Sequence, residues 1–91
     1  MEEKINLYKN AIDKWGTTSQ MDMAIEECAE LIKAINKFKR NQSAQTVNDL
    51  CSEIADVEIM MEQMRVVMRK DGLIDKIKEE KLERLKNLLS K

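Results

Sequence analysis

Four acidic residues sit where the surrounding text is apolar. Glu27 and Glu30 fall in "AIEECAELIKAI" (residues 24–35), and Glu53 and Asp56 fall in "CSEIADVEIM" (residues 51–60). Within each pair the spacing is three residues, about 60° around a helix, so the carboxylates project side by side from adjacent turns. Glu27 breaks the apolar line Ala24, Glu27, Leu31, Ala34, Phe38, and runs beside a second stripe of Ile25, Cys28, Ala29, Ile32 and Ile35 that reads as buried. Glu53 and Asp56 lie on the line Asp49, Glu53, Asp56, Met60, Gln63, Val67, next to an apolar stripe. Like charges at this spacing cost about 0.2–0.5 kcal/mol per pair when exposed, and about several kcal/mol per ion in a buried seam. Either the carboxyl pKa values rise or cations sit between them. Four hard oxygen donors suit Mg2+ or Mn2+ rather than zinc, and a chain without histidine disfavours a di-iron site built on Glu-x-x-His. The bland alternative is a solvated charged face.

Four helices must position these acids. The first spans about 2–15, with Ile5, Tyr8, Ile12 and Trp15 in one stripe and Gly16 as its terminator. Thr17, Thr18 or Ser19 caps a second helix that runs to about residue 40. "RNQSAQT" is the connection, with Ser43 or Thr46 capping the third helix, whose stripe is Val47, Leu50, Ile54, Val57, Met61, Met64 and Met68. "RKDG" closes it, and the fourth helix spans about 73–89. A short connection favours antiparallel packing of helices two and three, which lets the acidic pairs face each other. Helix three also carries Ala55, Ile59, Met60, Val66 and Val67 on other faces, and a helix apolar on most sides must be covered on most sides. Three neighbouring helices could manage part of that cover in a monomer, and self-association is the easier solution for so small a chain.

Composition agrees with one all-α domain over 1–91. Proline is absent, glycine occurs twice, and Tyr8, Trp15 and Phe38 are the only aromatics. Sixteen basic residues against seventeen acidic leave a net charge of −1, with no field to recruit a nucleic-acid polymer. No apolar run approaches a membrane span and no signal-peptide pattern opens the chain, so the expected setting is cytoplasmic. Cys28 and Cys51 fit no metal-finger spacing and read as reduced, largely buried thiols.

"EECAE", followed after residues 31–52 by "EIAD", resembles the EExxE…ExxD signature of MazG-like nucleotide pyrophosphohydrolases, the all-α NTP pyrophosphatase superfamily. The wider text "KWG…Q…AIEE.AELIKAI.KF.R", "EIADVEIMMEQM" and "EEKLERL" extends the resemblance over residues 12–89, most like small single-domain phage or Firmicute-type members. The resemblance implies a four-helix bundle completed by homo-oligomerisation, as a homodimer or a dimer of dimers. It implies Glu27, Glu30, Glu53 and Asp56 as metal-ligating and catalytic residues, and Mg2+-dependent hydrolysis of (deoxy)nucleoside triphosphates to monophosphate and pyrophosphate in nucleotide-pool cleansing. The rival reading is a non-catalytic helical oligomerisation module.

Other polar residues have two readings each. Lys81 interrupts the line Ile74, Ile77, Lys81, Leu85, Leu88, with Arg84 beside it. Either Lys81 snorkels over a core, or Lys81 and Arg84 hold a triphosphate tail, the role that the match at "EEKLERL" implies. Certain members carry a lysine shortly before the first acidic motif, where this chain has "SQMDM". Lys33, Arg40 and Gln20 are further candidates for nucleotide contact, against solvation. Glu26 either orients a ligand or is solvated, and Trp15 and Phe38 either flank a base or belong to the core.

Overall fold

A chain without proline that changes direction only at Gly16, at the polar "NQS" and near "RKDG" has few ways to be anything but helical. The computed structural model describes residues 2–91 and contains α1 (Glu2–Trp15), α2 (Thr17–Arg40), α3 (Ala44–Met68) and α4 (Asp71–Leu89), with no strand among the described residues. No described helix is long and apolar enough to cross a membrane.

The junctions explain where these helices start and stop. Gly16 alone separates α1 from α2: its N–H closes α1 on the Ile12 carbonyl at 2.8 Å, and its own carbonyl accepts from the Gln20 N–H at 3.1 Å. One residue serving both helices leaves no room for a capping Thr17, Thr18 or Ser19. Gly16 is the N-cap instead, and α2 has no side-chain cap. At α3 both expected candidates act together. The Ser43 N–H donates to Thr46 Oγ1 at 2.9 Å, and the Thr46 N–H donates to Ser43 Oγ at 3.2 Å, a reciprocal capping box. Arg69 rather than Gly72 takes the left-handed position after α3. Helix α4 therefore starts at Asp71, earlier than periodicity suggests, and places Gly72 inside its first turn.

Helices α2 and α3 form the central antiparallel hairpin. Its register is legible from Gln20 hydrogen-bonded to Gln63, Glu27 beside Asp56, and Ala34 and Asp49 in the walls of one cleft. The buried residues are Gln20, Ala24, Ala34, Met60 and Gln63, all on or in phase with the two lines that carry the acids. The stripe expected to be buried in α2 is not: Ile25 is 68% and Ile32 61% exposed. Small Ala24 and Ala34 allow close approach of α3 on the Glu27 line, and one neighbouring helix covers only one line. Val47, Ile54, Met61 and Met68 are likewise exposed, as is Cys51, while Cys28 is half-buried. At 100° per residue, the exposed stripes of α2 and α3 turn to the same side of the hairpin.

The flanking helices are held by polar clasps. Glu62 of α3 accepts from Lys4 Nζ at 3.3 Å and from Tyr8 Oη at 3.2 Å, fixing α1. Arg65 donates to Asp71 at 3.3 Å and Asp75 at 2.9 Å, setting the direction in which α4 leaves. Beyond that clasp α4 stands out as an arm, with Leu82, Leu85 and Leu88 exposed. The radius of gyration is 16.1 Å, against about 12 Å for a compact chain of this length. The accessible surface is 7477 Å², against about 5,500 Å² for a compact chain of this mass.

Gly16 has φ 91° and ψ 151°, a region almost closed to residues with a Cβ, whereas Gly72 lies in ordinary helix; neither has an atom within 4 Å of an added Cβ. Backbone conformation is then the only difference between the two sites. Gly16→Ala should lower unfolding stability by about 1–3 kcal/mol, while Gly72→Ala should raise it by up to about 1 kcal/mol. Urea denaturation followed by circular dichroism measures both. Equal effects at the two sites would contradict the assignment of a glycine-specific backbone conformation to Gly16.

Candidate metal centre

The hairpin register brings carboxylates together at mid-height of the α2–α3 seam. One oxygen each from Glu27, Glu53 and Asp56 lie within 4.8 Å of one another. Glu27 and Glu53 are half-buried and Asp56 is exposed, so the group opens to solvent on one side. Among the described residues none of the three forms an ion pair, and Glu53 Oε2 is buried without a hydrogen-bond partner. Burial, with Asp56 and Glu53 alongside, raises the pKa of Glu27 above the ordinary carboxylate value.

Three converging oxygens, one of their carboxylates with an orphaned oxygen and none ion-paired among the described residues, form a donor set that fits a hard divalent cation such as Mg2+ or Mn2+. Soft metals have no ligand there, because both cysteines lie outside the group.

The fourth predicted acid, Glu30, is one turn along α2 and outside the trio. It forms, with Glu53, one end of an adjoining cleft of about 170 Å³ whose walls also include Lys33, Lys37, Asp49 and Ser52. Lys33 is thus brought beside the acids. Gln20 is placed differently: it is buried two turns from Glu27, and its side-chain carbonyl accepts from Gln63. Lys81 and Arg84 are exposed on the α4 arm and line neither the trio nor the cleft of their own chain, and no core lies beneath Lys81. Glu26 is exposed outside the trio, and Arg40 is exposed at the end of α2. Phe38 is half-buried at the end of the seam line. Trp15 is 57% exposed, so the core reading fails for it, and its ring lies 5.4 Å from Lys14 Nζ.

Lys37 and Gln63 are the residues that sequence reasoning passed over. Gln63 had a signal, a polar residue on the seam line two turns from Asp56. Lys37 had a weaker one, its position one turn beyond Lys33. No protein-family model, curated protein or solved structure matches this chain.

A carboxyl group whose pKa rises on folding favours the folded state while protonated. That contribution is complete below its unfolded value, 4.5 for Glu27, and is lost as pH rises through the raised folded value. In metal-free buffer, the difference in Tm between Glu27→Gln and wild type should grow in the variant's favour from pH 4 to pH 7. A difference independent of pH would show that Glu27 feels no like-charge seam.

Proposed function

We propose that this chain is an Mg2+-dependent nucleoside triphosphate pyrophosphohydrolase with a MazG-like arrangement, acting on (deoxy)nucleoside triphosphates in nucleotide-pool cleansing. The observation that carries the reading is the trio Glu27, Glu53 and Asp56, three carboxylate oxygens within 4.8 Å that form no ion pair among the described residues. A seam built this way is destabilising for a purely structural hairpin, and it is what a binder of Mg2+ and phosphate requires.

Glu27, Glu53 and Asp56 would hold the ion, with Glu30 supplying a fourth carboxylate from the cleft wall, either as ligand or as the base that takes the water's proton. The bound cation would neutralise phosphate oxygens and lower the pKa of a water. In the reaction that fits, an O–P bond forms between water and the α-phosphorus while the bond to the bridging oxygen of the β-phosphate breaks. The products are a nucleoside monophosphate and pyrophosphate. The rigid α2–α3 register keeps the acids in place throughout.

Self-association belongs to the same reading, as a homodimer or a dimer of dimers. The surface in excess of a compact chain exceeds the roughly 800 Å² that one partner contributes to a standard interface. The exposed stripes of Ile25 and Ile32 with Ile54 and Met61 lie on the side of the hairpin away from Glu30, Lys33 and Lys37. A partner seated on that apolar side leaves the acidic side open to substrate.

Pyrophosphate release from a panel of nucleoside and deoxynucleoside triphosphates with Mg2+ tests the proposal. Turnover of at least one substrate is expected, with Glu53→Gln reduced at least a hundredfold. A silent panel, or full activity in Glu53→Gln, would leave a helical oligomerisation module with a charged face.

A further inference from the structure

The cleft beside the trio has a composition of its own. It runs from Glu30 and Glu53 toward the loop between α2 and α3, and its walls include Lys33, Lys37, Asp49, Ser52 and Thr46. Lys33 and Lys37 are one turn apart on α2, so their ammonium groups can converge on one object. Both side chains are exposed, and neither is paired with an acid among the described residues. Ser52 makes no side-chain hydrogen bond among the described residues, whereas the Thr46 hydroxyl is occupied in the capping box and serves only as wall.

The volume decides what such a cleft can take. About 170 Å³ is room for one or two phosphoryl groups, and the cleft is open to solvent, so the rest of a ligand can lie outside it. Two lysines on the α2 wall, Asp49 held by Gln45 on the facing wall, and Glu30 and Glu53 at one end suit an anionic object that is bridged to a cation at that acidic end.

We propose that this cleft is the seat of the leaving diphosphate, with Lys33 and Lys37 as point charges on its oxygens and Ser52 as a neutral donor. The α-phosphate would then lie at the trio, the β- and γ-phosphates would run along α2 toward Lys37, and the nucleoside would extend out of the cleft. Lys37 is about 10 Å along the helix axis from Glu30, within the combined reach of a phosphate chain and a lysine side chain. This assignment rests on the pyrophosphohydrolase reading and adds to it the direction in which the triphosphate lies. It gives the basic role to α2 of the same chain, not to Lys81 and Arg84 on the arm.

The test uses inorganic tripolyphosphate with Mg2+ as the probe, titrated by calorimetry into the full chain. Wild type is compared with Lys33→Met, Lys37→Met, their double variant, and Lys39→Met. Lys39 is exposed on the same helix but turned toward the apolar side, so its loss removes equal charge without touching the cleft. The double variant should bind tripolyphosphate at least tenfold more weakly, each single variant less so, and Lys39→Met as wild type does. In turnover the double variant should raise KM for the triphosphate while inhibition by the nucleoside monophosphate is unchanged. Wild-type affinity in the double variant would overturn the cleft assignment and leave the metal-dependent reading standing. Equal weakening by Lys39→Met would also overturn it, reducing the effect to net charge. Failure of wild type to bind tripolyphosphate, together with a silent turnover panel, would overturn both.

Discussion

The antiparallel register of α2 against α3 is the constraint on which the rest of the molecule depends. It sets Gln20 against Gln63, Glu27 against Glu53 and Asp56, and Ala34 close to Asp49. The contacts of this seam are unusual for a small domain. Among the described residues its buried positions are two alanines, one methionine and two glutamines rather than large aliphatic side chains, and half-buried Glu27 and Glu53 adjoin them. Small residues bring the helices close, and closeness is what forces the carboxylate oxygens to within 4.8 Å. A slip of α3 by one turn would leave the Gln20 and Gln63 amides buried without each other, at a cost of about 1–3 kcal/mol per group. The glutamine clasp therefore holds the level of the acids.

Much of the hairpin was legible because helical period and turn chemistry are local. Ser43 and Thr46, three residues apart before an apolar run, specify a capping box, and they form one. The acids were legible because Glu27 is polar on an apolar line and Glu53 and Asp56 repeat the pattern. Which of two apolar lines faces inward was not legible. In α2 the stripe of Ile25 and Ile32 is the more hydrophobic, yet it is exposed, while the line of Ala24, Glu27 and Ala34 meets α3. Hydrophobicity ranks surfaces that want cover but does not say whether a helix of the same chain covers them. Lys81 illustrates the same limit. Its line is clear in the sequence, but Arg65, by engaging Asp71 and Asp75, directs α4 away from the acids.

The two sides of the hairpin have different characters as a result. One side presents aliphatic and methionine side chains that no other described part of the chain covers. The other presents Asp56, Glu30 and the lysine-lined cleft. The separation follows from helical phase alone, since residues at 100° intervals cannot serve both sides. It allows one surface to be devoted to association and the other to chemistry, as the proposed function requires. A chain of 91 residues in which Ala24, Ala34 and Met60 are the only buried hydrophobic residues among those described has little stability to spare for a cluster of unneutralised acids. The proposed cation and the proposed partner each relieve one of these two liabilities.

The most direct test of this account is whether Mg2+ stabilises the fold through the acidic seam. A ligand that binds only the native state raises its stability by mass action. Thermal unfolding of the wild type in millimolar Mg2+ should therefore occur at a higher temperature than in NaCl of equal ionic strength, and Asp56→Asn should lose most of that increment. A wild-type Tm that responds to Mg2+ as it does to NaCl would contradict the account, because a cation held by the three acids of the native seam would stabilise the folded state.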